Sequence, residues 1–132
     1  MMGGGEAMNG DILFFFDGKP NALAVYAALE DRVCGELPDV NIKVQKSMIT
    51  FANKHGFAFA SHPRRKAEGY GKDYLIVSFG LEHSMESPRL IASSEPYPNR
   101  WTHHAAVFAP EDIDDELMGW IREAYEFSAA KR

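Results

Sequence analysis

Cysteine is almost absent from this chain: of 132 residues only Cys34 carries a thiol. One thiol closes no internal disulfide, which excludes a cross-linked secreted scaffold and fits a reducing cytoplasm. The apolar run Ile12 to Phe16 is too short to span a membrane or to serve as a signal segment, and residues 1–10 are rich in glycine rather than basic, so no membrane partner is expected. An excess of positive charge is missing too. With 19 acids against 14 bases the net charge is -5, which disfavours a surface given over wholly to nucleic acid.

Catalytic and cofactor signatures are equally scarce. There is no HExxH, no paired-cysteine ligand set and no G-x-S-x-G elbow, and Gly3 to Gly5 precede no strand and helix with phosphate-loop spacing. Five histidines are present, but His103 and His104 are adjacent on an expected strand and point to opposite faces, so they do not close on one ion. Neither a metal nor a cofactor is expected. Cys34, near the end of an expected helix, reads as a small core residue.

What is present is a globular pattern. A content of 45% hydrophobic and 12% aromatic residues supports a core, and a flexible leader over 1–10 followed by a single α+β domain over 11–132 is expected. Ile12 to Phe16 reads as a short strand or a plug on the core. After the turn at Asp17 to Pro20, Ala22, Tyr26, Leu29, Val33 and Leu37 recur at helical spacing. Val40, Ile42 and Val44 then alternate with Asn41, Lys43 and Gln45, placing Lys43 in water. Met48–Ala52 and Phe57–Ser61 read as a hairpin whose Asn53 and Gly56 take positive φ.

Tyr74–Phe79 reads as a central strand, and Gly80–Asn99, with Pro88, Pro96 and Pro98, as an unassigned connection. Trp101–Phe108 is a last strand with Trp101, His103, Ala105 and Val107 on one face. A helix follows, opened by Pro110 and a cluster of acids and striped by Ile113, Leu117, Trp120, Ile121, Ala124, Tyr125 and Ser128. Strands in succession between helices imply a two-layer sandwich: a mainly antiparallel sheet of four to five strands with an N-terminal and a C-terminal helix packed on one face.

Charge is unevenly spread. Residues 40–72 carry seven bases and one acid, whereas the segments before and after them are acidic. That is either an electrostatic footprint or a solvated face balanced by acids elsewhere. The stretch Tyr97 to His104 adds a guanidinium, an indole and two imidazoles where a turn enters a strand. If the loop after the hairpin lies beside the last strand, Arg64, Arg65 and Arg100 with His103 or His104 form an anion site, and Trp101 either stacks on a ring or fills the core. His104, sharing a face with Thr102, is the surface candidate.

Phe15-Phe16-Asp17-Gly18-Lys19-Pro20, the stretch Phe57 to Lys66, the strand Tyr74 to Leu81, and Arg100-Trp101-Thr102-His103-His104 with its acidic helix resemble a small bacterial domain of unknown function, over roughly residues 14 to 128. The resemblance implies a domain found alone and as the C-terminal part of larger proteins labelled predicted transport proteins, some with a nuclease-like region ahead of it. It supplies no catalytic or binding residues.

The expected function is a small cytoplasmic binding or accessory domain that recognises a phosphate- or carboxylate-bearing ligand. Two alternatives stand beside it: a hydrolase with His103 or His104 as general base, and a homodimeric interaction module without a small ligand. The partners this pattern admits are a small anion, a protein or a second copy of the chain; nucleic acid is admitted but disfavoured by net charge.

Overall fold

A computed structural model describes residues 10–130. The expected leader falls outside the described residues except for Gly10, which opens α1 (Gly10–Phe15). The segment read as a strand or a plug is therefore helical. Ile12 and Phe16, four residues apart, are both buried, so one turn of helix seats two side chains in the core.

Pro20 begins α2 (Pro20–Glu36), where its missing N–H costs no hydrogen bond. The residue before it, Lys19, supplies no side-chain cap. The cap comes from far along the chain: the Asp73 carboxylate accepts from the N–H groups of Asn21 (3.1 Å) and Ala22 (2.8 Å). Asn21 in turn donates through its amide to the carbonyls of Asp73 and Phe108. All five residues of the expected stripe, Ala22, Tyr26, Leu29, Val33 and Leu37, are buried.

The strands are β1 (Asn41–Val44), β2 (Ile49–Ala52), β3 (Gly56–Ser61), β4 (Leu75–Leu81), β5 (Leu90–Tyr97) and β6 (Arg100–Val107). They form one antiparallel sheet in the order β1-β2-β3-β4-β6-β5, so the sheet has six strands rather than four or five. The added strand is β5, within the segment left unassigned because of its prolines. β5 pairs only with β6, and an edge strand tolerates Pro96 because one side of its backbone needs no ladder partner. Lys43 is exposed on β1.

The β2–β3 turn departs from expectation. Neither Asn53 nor Gly56 has positive φ; the described residues with positive φ are Asp39, Asn99, Gly18, Gly69 and Gly71. Asn53 works through its side chain, accepting from Lys54 N–H and the Ser128 hydroxyl and donating to the Tyr125 carbonyl. Gly56 serves packing, because a Cβ there would stand 3.0 Å from the Phe59 ring.

After a 3-10 turn at Pro110–Asp112 comes α3 (Asp115–Ala130). Asp114 accepts from Leu117 N–H as its cap, and Arg89 binds both Asp114 (2.8 Å) and Glu116 (3.1 Å). Partial burial opposes ionisation of Asp114, but the Arg89 and Leu117 hydrogen bonds outweigh it and hold the carboxyl below its ordinary range. The acidic run thus has an architectural use. Alternate strand residues, among them Ile49, Phe51, Ala58, Ala60, Val77, Phe79, Ala105 and Val107, join buried residues of α2 and α3 in one core cluster. Among the described residues no helix is long and apolar enough to cross a membrane.

Candidate functional site

The period of two along each strand divides the sheet into a core face and a second face. Register partners point the same way, so one row crosses the whole second face: Lys43, Thr50, Phe59, Ser78, His104 and Ala92. At its centre the Ser78 hydroxyl and His104 Nδ1 lie 2.6 Å apart. Ser78 is 6% exposed, while His104 is half-buried. Burial holds the His104 imidazole below its ordinary value, so the ring is neutral at pH 7 and Nδ1 accepts the serine proton when Nε2 carries the ring's own. Phe59 flanks the pair, its ring seated against Gly56 and Thr50.

His103 meets the opposite fate. It is fully buried, stacks on Phe79 with ring centroids 5.5 Å apart, and accepts from Met85 N–H at Nε2. Its Nδ1 is buried without a partner, and burial lowers its basicity. His103 therefore has no access to a ligand on the second face. Trp101 is half-buried at the end of β6, on the same side of the strand as His103.

The three arginines do not converge. Arg100 sits just beyond Trp101, which pairs with Leu81 at the end of β4, whereas the loop bearing Arg64 and Arg65 leads into the start of β4 at Leu75. The six residue steps between those ends span about 20 Å. The expected point site is thus not formed: Arg64 and Arg65 stand at one end of β4 and Arg100 at the other. All three guanidinium groups are exposed, and none has a hydrogen bond or ion pair among the described residues. Arg100 shares the parity of Thr102 and His104 and so belongs to the second face.

The loop over residues 62–73 is ordered by its own contacts. Tyr74 donates to the Arg65 carbonyl at 2.8 Å, and Ala67 and Gly71 exchange backbone hydrogen bonds of 2.8 and 2.9 Å. Three rings pack in series at a tilt: Tyr74 lies 4.7 Å from Phe108, and Phe108 lies 4.9 Å from Tyr70, which is 45% exposed. Among the six strands the single acid is Glu95, already accepting from Asn99 N–H in the β5–β6 turn.

The remaining titratable groups belong to the core or its rim. His62 donates to the Phe15 carbonyl and stacks on that ring, and His83 pairs with Glu123. Cys34 is half-buried rather than a core residue, and burial with Glu30 and Asp31 nearby pushes its thiol up, away from the reactive thiolate. No group of three or more metal-ligating side chains is found among the described residues. A shallow cavity of about 350 Å³ lies between Pro88, Arg89, Ile91, Ala106, Phe108 and Asp112.

A family model described as a domain of unknown function, DUF5655, matches residues 14–128. The chain belongs to this family. The match runs from within α1 to near the end of α3 and takes in every strand, so both faces of the sheet are part of the DUF5655 domain. No curated protein and no solved structure matches the chain.

Sequence reasoning missed Ser78, Phe59 and Tyr70. Ser78 left a trace as the one polar residue inside the apolar run Tyr74 to Phe79. Phe59 and Tyr70 left none, because the place of Phe59 depends on the register of β3 on β4 and that of Tyr70 on its contact with Phe108, far along the chain.

Proposed function

We propose that this domain is a binding module whose working surface is the second face of the sheet, and that its partner is anionic. We infer with this a two-layer arrangement in which α2 and α3 cover the core face alone. The observation that carries the reading is the charge layout of that face. Its strands present Lys43 and Arg100 and no unengaged acid, while Arg64, Arg65, Lys66 and Lys72 stand exposed in the loop at one end. Many acids lie on α2, α3 and the turn before α3, while the loop itself holds Glu68 and Asp73, the second engaged in capping α2. Cations that bracket a face about 20 Å long suit an extended ligand better than one phosphate or carboxylate.

A thermal-shift panel of nucleotides, sugar phosphates, dicarboxylates, polyglutamate and oligonucleotides at low salt tests the reading, since a native-state ligand raises apparent stability by mass action. A shift that shrinks with salt and in Arg100→Ala supports it; a flat panel overturns it.

The 2.6 Å contact between Ser78 and His104 favours one other reading, a hydrolase in which His104 takes the serine proton as the oxygen attacks an ester carbonyl. Turnover of an activated ester that vanishes in both Ser78→Ala and His104→Ala, with both variants folded, would establish it.

A further inference from the structure

Resting on the anionic-partner reading, we infer that the ligand is a single-stranded nucleic acid, with a base stacked on Tyr70 and its phosphates held by the 62–73 loop. Tyr70 ends the series Tyr74, Phe108, Tyr70: its ring packs tilted on Phe108 at 4.9 Å, Phe108 packs on Tyr74 at 4.7 Å, and Tyr70 is still 45% exposed. An exposed aromatic ring held by a neighbouring ring is a stacking platform for any base. Arg64, Arg65, Lys66 and Lys72 lie in the same loop, all exposed and with no ion pair among the described residues, beside two acids, Glu68 and the α2-capping Asp73. The Tyr74 hydroxyl on the Arg65 carbonyl and the Ala67–Gly71 exchange set the loop's course before a ligand arrives.

Ring and cations together distinguish nucleic acid from an acidic peptide. A peptide would use the same cations and gain little from an exposed stacking ring. An unpaired strand is favoured over a duplex because bases must be free to stack, and this end of the sheet presents a loop and ring rather than a helix shaped for a groove. The net charge of -5 does not oppose this. Acids more than about 10 Å away are screened at 0.1 M salt, so contact is governed by the loop's own balance, in which Arg64, Arg65, Lys66 and Lys72 outnumber Glu68 and Asp73.

Fluorescence anisotropy of a labelled oligothymidylate and a labelled mixed-sequence RNA, with unlabelled duplex and polyglutamate as competitors, decides the matter. Tyr70→Ala should weaken binding about tenfold while Tyr70→Phe retains it. Replacing both Arg64 and Arg65 by Ala should weaken binding and flatten the salt dependence by roughly 1.4 in logarithmic slope. Circular dichroism melts of each variant control for folding. Polyglutamate binding that ignores Tyr70→Ala, or a duplex that competes as well as the single strand, overturns the nucleic-acid inference and leaves the anionic face standing. Failure of every anion to bind overturns both.

Discussion

His103 and His104 are neighbours in sequence and stand on opposite faces of β6, and their surroundings show how one strand serves two ends. His103 is enclosed by Phe79 and the Met85 backbone within the apolar core. His104 lies between Ser78 and Ala92 in its row and bonds to the Ser78 hydroxyl. Apolar volume from two helices builds the first environment. The second is a mixed face, with Lys43, Thr50, Phe59, Ile76 and Ser78 on its strands and no unengaged acid. On this comparison, residues of one parity on β6 should govern stability and those of the other parity should govern binding.

Substitution at the two imidazoles should separate the two faces most widely. His103→Ala should lower the unfolding free energy by about 3 kcal/mol through the cavity and the stranded Met85 N–H. His104→Ala should cost less than about 1 kcal/mol. Urea titrations giving equal losses would erase the distinction between the faces.

Asp73→Ala should cost about 1–2 kcal/mol in the same assay, since it removes the acceptor for two N–H groups at the start of α2. Asn in its place should recover part of the loss; no recovery would mean that the carboxylate acts by charge rather than as a cap.

Stability against pH sharpens the comparison further. Burial lowers both His103 and His104, so the unfolded chain takes up protons first and stability should fall as pH drops through the ordinary imidazole value. Burial raises the Glu30 carboxyl, whose Oε1 accepts from Tyr26 while its Oε2 has no partner, so its contribution is present in acid and lost as pH rises through its raised value. Glu30→Gln should remove the loss of stability that sets in as pH rises above the ordinary carboxylate value, and His103→Phe should flatten the fall as pH drops through the ordinary imidazole value. A profile unchanged in either variant would remove that group from the account.

The smallest effect should come from Gly56→Ala, within about 0.5 kcal/mol in stability. It pushes the Phe59 ring off its seat, which NMR shifts of Phe59 would register. Unmoved Phe59 resonances would mean that the ring is not seated there.

Much of the fold was legible because burial imposes periods that a sequence must display. The α2 stripe, the alternation of β6 and the apolar run of β4 all reported faces that the core does bury. β5 was hidden because an edge strand has half its backbone free of pairing and so accepts prolines and serines that elsewhere mark loops. The helical form of α1 was hidden because six residues hold too few turns to show a period, while the burial of Ile12 and Phe16 agrees with a plug on the core. The candidate site was legible only in part. Opposite faces for His103 and His104 followed from alternation alone, whereas the meeting of Ser78 with His104 required the register of β4 on β6.

The sequence by itself determined the class of the fold, the buried stripes of α2 and α3 and the division of β6 into two faces, because these depend on spacing within one element. Only the tertiary structure decided that Asp73 caps α2, that Arg64 and Arg65 stand a strand's length from Arg100, and that Tyr70 is propped on Phe108. Such relations join residues tens of positions apart through strand order and register, which no local pattern records.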